Sequence, residues 1–232
     1  MSVNLEILEH IQQNILPKYE HFDNAHNPQH AERVIQNSLS IAKDYDVDIN
    51  KVYVIAAYHD VGLAQGRKDH EKNSAAFLLS DSALAKWFSK DELILMAEAI
   101  EDHRASNDHA PRSIYGRIVS EADRDIEYVT ILTRVIQYSI EHYPSYTQEE
   151  HFVRSYNHLQ DKYGEGGYLK LWLDTERNRR NLQELREAMA SVDRFKADFM
   201  RIFQLVYPPP IDYSSHKPII INTKSKCEGG IK

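Results

Sequence analysis

The sequence has few of the residues that interrupt helices, and its single cysteine is Cys227. Glycine and proline number eight each in 232 residues, and six of these sixteen fall within residues 208–232. Because both residues disfavour helix interiors, their scarcity over residues 1–207 predicts an all-helical body. One cysteine cannot form an internal disulfide, which is typical of a reducing compartment and removes thiolates from any metal site near the core.

Long hydrophobic runs and an excess of positive charge are also missing. The longest unbroken apolar run covers residues 52–58, whereas a membrane-spanning helix needs about 20 apolar residues. The first ten residues, MSVNLEILEH, include acidic side chains and lack the apolar core of an export signal. We therefore expect a cytoplasmic protein without a membrane partner. A net charge of -7 disfavours a broad nucleic-acid face but leaves room for a local basic patch that binds a small anion.

Apolar residues recur at intervals of three and four along most of the chain, which predicts helices. Asn27 and Pro28 provide the N-cap and first residue of the second helix. Residues 50–63 form a third predicted helix that is nearly apolar all round and therefore central. A long final helix is predicted over residues 175–206. Its apolar spacing is compatible with packing on its own domain or with a coiled-coil seam that forms a homodimer.

The domain organisation follows from the distribution of helix breakers. We expect one domain over residues 1–207, because no linker interrupts it. The proline run at residues 208–210 and the polar residues after it predict a short, irregular and flexible tail over residues 208–232.

His59 and Asp60 follow the most apolar stretch of the chain. A buried carboxylate is costly unless a cation, strong hydrogen-bond donors or a metal ion compensates it. The adjacent histidine favours a metal, although hydrogen bonds to backbone groups and an arginine would also explain the pair. His30 and Asp123 lie beside apolar positions of their own helices and also face the core. Two imidazoles and two carboxylates from three helices suit Mn, Fe, Co, Ni or Zn.

The order of these residues, in the segments NPQHAERV, AAYHDVGL and VSEADRDI, resembles the HD-domain superfamily of metal-dependent phosphohydrolases. The segments AIEDHRAS and PRSIYGRIVSEADRDI are further similar to a group of small bacterial HD-domain proteins. The resemblance is clear over residues 22–127. It implies an all-α HD-domain helical bundle with His30, His59, Asp60 and Asp123 as metal ligands.

Two more histidines occupy positions where HD proteins with dinuclear centres have ligands. His70 follows the His-Asp pair, and His103 precedes the final aspartate. If both bind metal, Asp60 can bridge two ions. In the alternative, a single ion binds and His70 or His103 contacts a phosphate or a water molecule.

The resemblance implies a hydrolase that cleaves a phosphate ester or anhydride of a small phosphorylated metabolite, with a nucleotide as the leading substrate. A divalent ion lowers the pKa of bound water to about 7, which supplies metal-bound hydroxide at neutral pH. Basic residues beside the ligands are candidates for binding the substrate; they are Arg67, Lys68, Arg104 and Arg112. Glu71 and Asp102 are candidates for proton shuttles. The alternatives are an HD-type di-iron oxygenase and a non-catalytic, metal-stabilised sensor or scaffold.

Overall fold

The computed structural model describes residues 2–22, 26–104, 107 and 109–207. Within these ranges the secondary structure is helical and contains no strand, which confirms the all-α prediction. None of the helices in the described ranges combines the length and apolar character that a bilayer crossing requires. The tail predicted over residues 208–232, including Cys227, lies outside the described residues.

The described part contains ten α-helices joined by short connections and 3₁₀ turns. In chain order they are α1 (Leu5–Asn14), α2 (Pro28–Ile41), α3 (Ile49–Tyr58), α4 (His70–Ser80), α5 (Lys90–Glu101), α6 (Ile114–Asp123), α7 (Tyr128–His142), α8 (Gln148–Tyr163), α9 (Glu176–Ala190) and α10 (Val192–Val206). The 3₁₀ helices are Leu16–His21, Ala42–Asp44, Val61–Gln65 and Ser82–Lys86.

The start of α2 confirms the predicted capping signal. The Asn27 side chain accepts a hydrogen bond from the backbone N–H of His30, and Pro28 is the first helical residue. This cap satisfies one of the N–H groups that the first turn leaves without a helical partner. It therefore fixes the position of His30 in the first turn of α2.

The first hydrophobic core surrounds α3, whose residues 52–58 are all buried. Helices α1, α2, α4, α5 and α6 all pack against it. The prediction of one helix over residues 50–63 was wrong, because α3 ends at Tyr58 and the 3₁₀ helix Val61–Gln65 follows. Gly62 lies in this turn: its N–H donates to Ser74 Oγ at 2.9 Å, and a Cβ at this position would lie 2.5 Å from the His70 carbonyl oxygen. The chain turns here to bring α4 close.

The second core consists of side chains from α7, α8, α9 and α10. The prediction of one helix over residues 175–206 was wrong, because the chain breaks at Ser191 with φ -109° and ψ 99°. The Ser191 side chain accepts a hydrogen bond from the Arg194 N–H and caps α10. Most apolar side chains of the predicted seam are buried in this core; examples are Leu185, Met189, Phe195 and Phe199.

The end of α6 is joined to the segment that leads into α9. The fully buried Glu121 side chain accepts hydrogen bonds from the Trp172 N–H at 2.9 Å and from Asn178 Nδ2 at 2.6 Å. Arg177 Nη2 donates to three carbonyl oxygens at the end of α6, at 3.0 to 3.3 Å. Carbonyls at a helix end lack a partner within the helix, and Arg177 in the first turn of α9 supplies the missing donor.

Candidate metal centre

Six donor side chains from five helices of the first core meet at one point. Each lies at or beside a helix end. They are His30 in the first turn of α2, His59 and Asp60 directly after α3, His70 at the start of α4, His103 after α5 and Asp123 at the end of α6. The packing of these helices around α3 therefore assembles residues that are far apart in sequence.

The first group of donors surrounds His30 Nε2. This nitrogen lies 3.2 Å from His59 Nε2, 3.3 Å from Asp123 Oδ1 and 3.6 Å from Asp60 Oδ2. His59 Nε2 is also 3.3 Å from Asp60 Oδ2. Ligand atoms that share one ion at about 2.1 Å lie roughly 3.0–3.4 Å apart in octahedral or tetrahedral geometry. The spacing of this group is therefore compatible with a divalent metal ion.

A second group of donors surrounds the other oxygen of Asp60. His70 Nε2 and His103 Nε2 each lie 3.4 Å from Asp60 Oδ1. This oxygen is buried and has no hydrogen-bond partner among the described residues. A buried carboxylate oxygen without a donor is costly unless a cation compensates it. Asp60 thus offers one oxygen to each group, which is the arrangement of a carboxylate that bridges two ions.

Backbone carbonyls orient three of the histidine rings. His59 Nδ1 lies 2.8 Å from the Ala56 carbonyl oxygen, and His103 Nδ1 and His70 Nδ1 lie 2.6 and 3.1 Å from carbonyls three residues earlier. A carbonyl only accepts hydrogen bonds, so Nδ1 carries the hydrogen in each ring. The lone pair of the neutral imidazole is then on Nε2, which faces the donor groups.

The carboxylates and imidazoles shift one another's proton affinities. Burial lowers the pKa of His30, but the carboxylates of Asp123 and Asp60 outweigh burial and raise it to about 9. Burial raises the pKa of Asp123, but hydrogen bonding to His30 and the charge of His59 bring it to about 2. The pKa of Asp60 falls well below its usual value, because the surrounding imidazoles outweigh burial. Both carboxylates are held ionised, and a metal ion would compete with the proton on His30.

Glu71 and Arg104 form an ion pair beside the second group of donors. Arg104 Nη1 donates to both Glu71 carboxylate oxygens at 3.2 Å. Glu71 Oε2 also lies 3.4 Å from His70 Nδ1. The Glu71 side chain is buried, whereas the Arg104 side chain is 39% exposed and open to a bound molecule. The structure therefore brings together a predicted substrate-binding residue and a predicted proton shuttle.

Arg112 and Asp102 pair with each other. The Arg112 N–H donates to Asp102 Oδ2 at 2.6 Å, and Arg112 Nε donates to Oδ1 at 3.0 Å. This pair ties the segment before α6 to the residue that precedes His103. Arg67 Nη2 lies 3.3 Å from His26 Nδ1, and Lys68 is exposed. The roles predicted for Arg67, Lys68, Arg112, Glu71 and Asp102 stay predictions.

Tyr19 is a residue of this centre that the sequence did not indicate. Its hydroxyl donates to the Ala57 carbonyl at 2.9 Å and accepts from the Asp60 N–H at 3.3 Å. The side chain is fully buried, and its ring lies 6.3 Å from the ring of His59. Tyr19 thus fixes the backbone that carries the His-Asp pair. No motif or spacing marks it, because both of its hydrogen bonds are to backbone groups.

Comparison with known proteins relates the segment that carries these donors to one family model. Residues 29–126 match the family model described as the HD domain. This segment is therefore similar to the HD domain. All six donors lie within the matched residues. The chain also resembles the crystal structure of a predicted HD superfamily hydrolase from an uncultured Thermotogales bacterium, with 23% identity and a TM-score of 0.50. The match covers 84% of this chain and 91% of the other and supports the fold. A search of the curated proteins found no match.

Proposed function

We propose that this HD-domain protein is a metal-dependent hydrolase that cleaves a phosphate ester or anhydride of a small phosphorylated metabolite, with a nucleotide as the leading substrate. The observation that carries the proposal is the position of Asp60 between two pairs of imidazoles, with Oδ1 buried and lacking a hydrogen-bond partner in the described part. The hydrolase name of the Thermotogales protein supports the same reaction class.

The donors divide into two sets around the shared carboxylate. His30, His59, Asp60 and Asp123 would hold one divalent transition-metal ion, and Asp60, His70 and His103 would hold a second. Such ions lower the pKa of water and neutralise charge that develops on a phosphoryl oxygen. Imidazole-rich donor sets suit Mn, Fe, Co, Ni or Zn.

Arg104 is the residue best placed to bind the substrate. Glu71 holds its Nη1, and the exposed part of the guanidinium has no other hydrogen-bond partner among the described residues. An arginine held in this way can present its remaining N–H groups to two phosphoryl oxygens without first losing side-chain freedom. Glu71 then acts as a positioning residue for Arg104.

The test is phosphate release by protein loaded with one metal at a time. Metal-free protein is reconstituted with Mn, Fe, Co, Ni or Zn and assayed on aryl phosphates and a panel of nucleotides. We expect release that depends on the metal and falls at least about 100-fold in Asp60→Asn, because the variant lacks the shared ligand. Absence of release with every metal, in protein that stably retains iron, would overturn the proposal.

An HD-type di-iron oxygenase is the second candidate, because the six donors form two groups around one carboxylate. Iron-loaded protein would then consume oxygen in the presence of a substrate and give a mixed-valent signal in electron paramagnetic resonance. A centre that retains one Mn or Ni ion and gives no such signal would argue against this candidate.

A further inference from the structure

A cavity of about 350 Å³ lies between α7 and α8, in the second core. Its lining contains none of the six metal donors. Four basic side chains contribute to the lining: Arg134, Arg154, His158 and Lys162. Buried apolar residues, including Ile131 and Val135, form another part of the wall. The volume is within the range of small-molecule sites, which is about 300–1,000 Å³.

The basic residues are concentrated by helix geometry. Arg154, His158 and Lys162 are spaced four residues apart on α8 and lie on one face. Arg134 of α7 faces the same cavity. Like charges at this spacing destabilise a helix. The chain has a net charge of -7, so this cluster is a basic patch on an acidic protein.

Neutralisation of this cluster by the protein is incomplete. Among the described residues, neither Arg154 nor Lys162 forms an ion pair with a carboxylate. Arg154 Nη1 is buried without a hydrogen-bond partner in the described part. The Arg154 guanidinium instead lies over the rings of Tyr138 and Tyr143, at 5.0 and 4.6 Å. The rings position the guanidinium without removing its charge.

Asp125 supplies a carboxylate to the lining, but two arginines share it. Asp125 Oδ2 lies 3.6 Å from Arg134 Nη2 and 3.6 Å from Arg33 Nη2. Burial and then repulsion by Arg124 lower the pKa of Lys162, as expected for a cation that lacks a counter-charge. The cavity therefore has more positive than negative charge.

We propose that this cavity binds a small phosphate-bearing anion, separately from the metal centre. Arg, Lys and His donors from two helices can surround a tetrahedral group with several oxygens, whereas a planar carboxylate matches the fork of a single arginine. The apolar wall at Ile131 and Val135 receives the uncharged part of the ligand. The cavity is too small for a macromolecule, and the site does not depend on hydrolysis at the metal centre.

The test is calorimetric titration of the full chain, kept metal-free with a chelator. The probes are inorganic phosphate, pyrophosphate and AMP, with citrate as the carboxylate comparison. We expect the phosphate probes to bind more tightly than citrate. Affinity should fall at least about tenfold in Lys162→Glu and in Arg134→Gln, as expected from the loss of a charge-assisted hydrogen bond. Arg134 is exposed, so its variant keeps the test valid if Lys162→Glu does not fold.

Two control variants distinguish binding in this cavity from a general effect of charge and from binding at the metal centre. Lys90→Glu makes the same charge change at an exposed position of α5 and should alter affinity less than about twofold. Asp60→Asn should bind the probes as the unmodified chain does. The proposal is overturned by absence of binding at millimolar probe, by tighter citrate binding, by unchanged affinity in both cavity variants, or by loss of binding in Asp60→Asn.

Discussion

Asp60→Asn should abolish metal-dependent stabilisation of the protein. Asp60 gives Oδ2 to the group that contains His30 and His59, and Oδ1 to the group that contains His70 and His103. Asparagine keeps the size of the side chain but replaces the charged bridge with an amide, which is a poor ligand for these ions. Both sites should therefore weaken together, although only one residue is changed.

The size of the effect follows from linkage between metal binding and folding. An ion present at 100 times its Kd stabilises the folded state by about 2.7 kcal/mol. A chain of this length gains roughly 2–4 °C in Tm for each kcal/mol, so one ion should raise Tm by about 5–11 °C. Differential scanning calorimetry with and without Mn or Ni should show this rise in the unmodified chain and little of it in Asp60→Asn.

Asp102→Asn is the matched control, because it makes the same chemical change at another buried aspartate. The Asp102 side chain pairs with Arg112, so this variant should lower Tm in the absence of metal. Its metal-dependent rise in Tm should be retained. If Asp60→Asn kept the full rise, or if elemental analysis found unchanged metal content, the assignment of Asp60 as the shared ligand would be refuted.

Four further predictions follow from the centre and from the turn that precedes α4. His70→Ala should reduce the metal content from two ions to one per chain, measured by mass spectrometry of purified protein, because the first group keeps all its donors. Metal binding at pH 7.5 should release a proton from His30, whose pKa is about 9 without metal, and calorimetry in buffers of different ionisation enthalpy measures it. Protonated His30 also stabilises the metal-free fold below about pH 6.5, and this contribution is lost as pH rises through about 9. Gly62→Ala should cost about 3 kcal/mol in urea unfolding, since its Cβ would meet the α4 backbone.

Local signals predicted the start of α2 and the buried centre of the first core. Asn27 caps α2 and Pro28 begins it, and both effects depend only on residues of the first turn. Residues 52–58 are all apolar, so the helix that carries them is buried on all sides. The break at Ser191 could not be predicted in this way. Serine is tolerated within helices, and the three-four spacing of apolar residues continues across it. The break depends on α9 and α10 packing separately in the second core.

For the candidate site too, the sequence was enough to predict some features, whereas others required the tertiary structure. The pattern of His30, His59, Asp60 and Asp123 predicts a metal site, because buried carboxylates need compensation, and the fold brings these side chains together. From the sequence alone, His70 and His103 could either bind a metal ion or contact a phosphate or a water molecule. Their Nε2 atoms converge on Asp60 Oδ1 only when α4 and α5 pack together, so the second group required the fold.

The junction at the end of α6 shows that the candidate site depends on residues beyond the segment that matches the HD domain. Asp123 belongs to the matched segment, yet Trp172, Arg177 and Asn178, which secure its helix end, lie some fifty residues beyond it. A chain cut after residue 126 would keep every donor and lose the anchor of the last one. Substitutions at Arg177 or Asn178 would therefore change the position of Asp123 relative to the other donors.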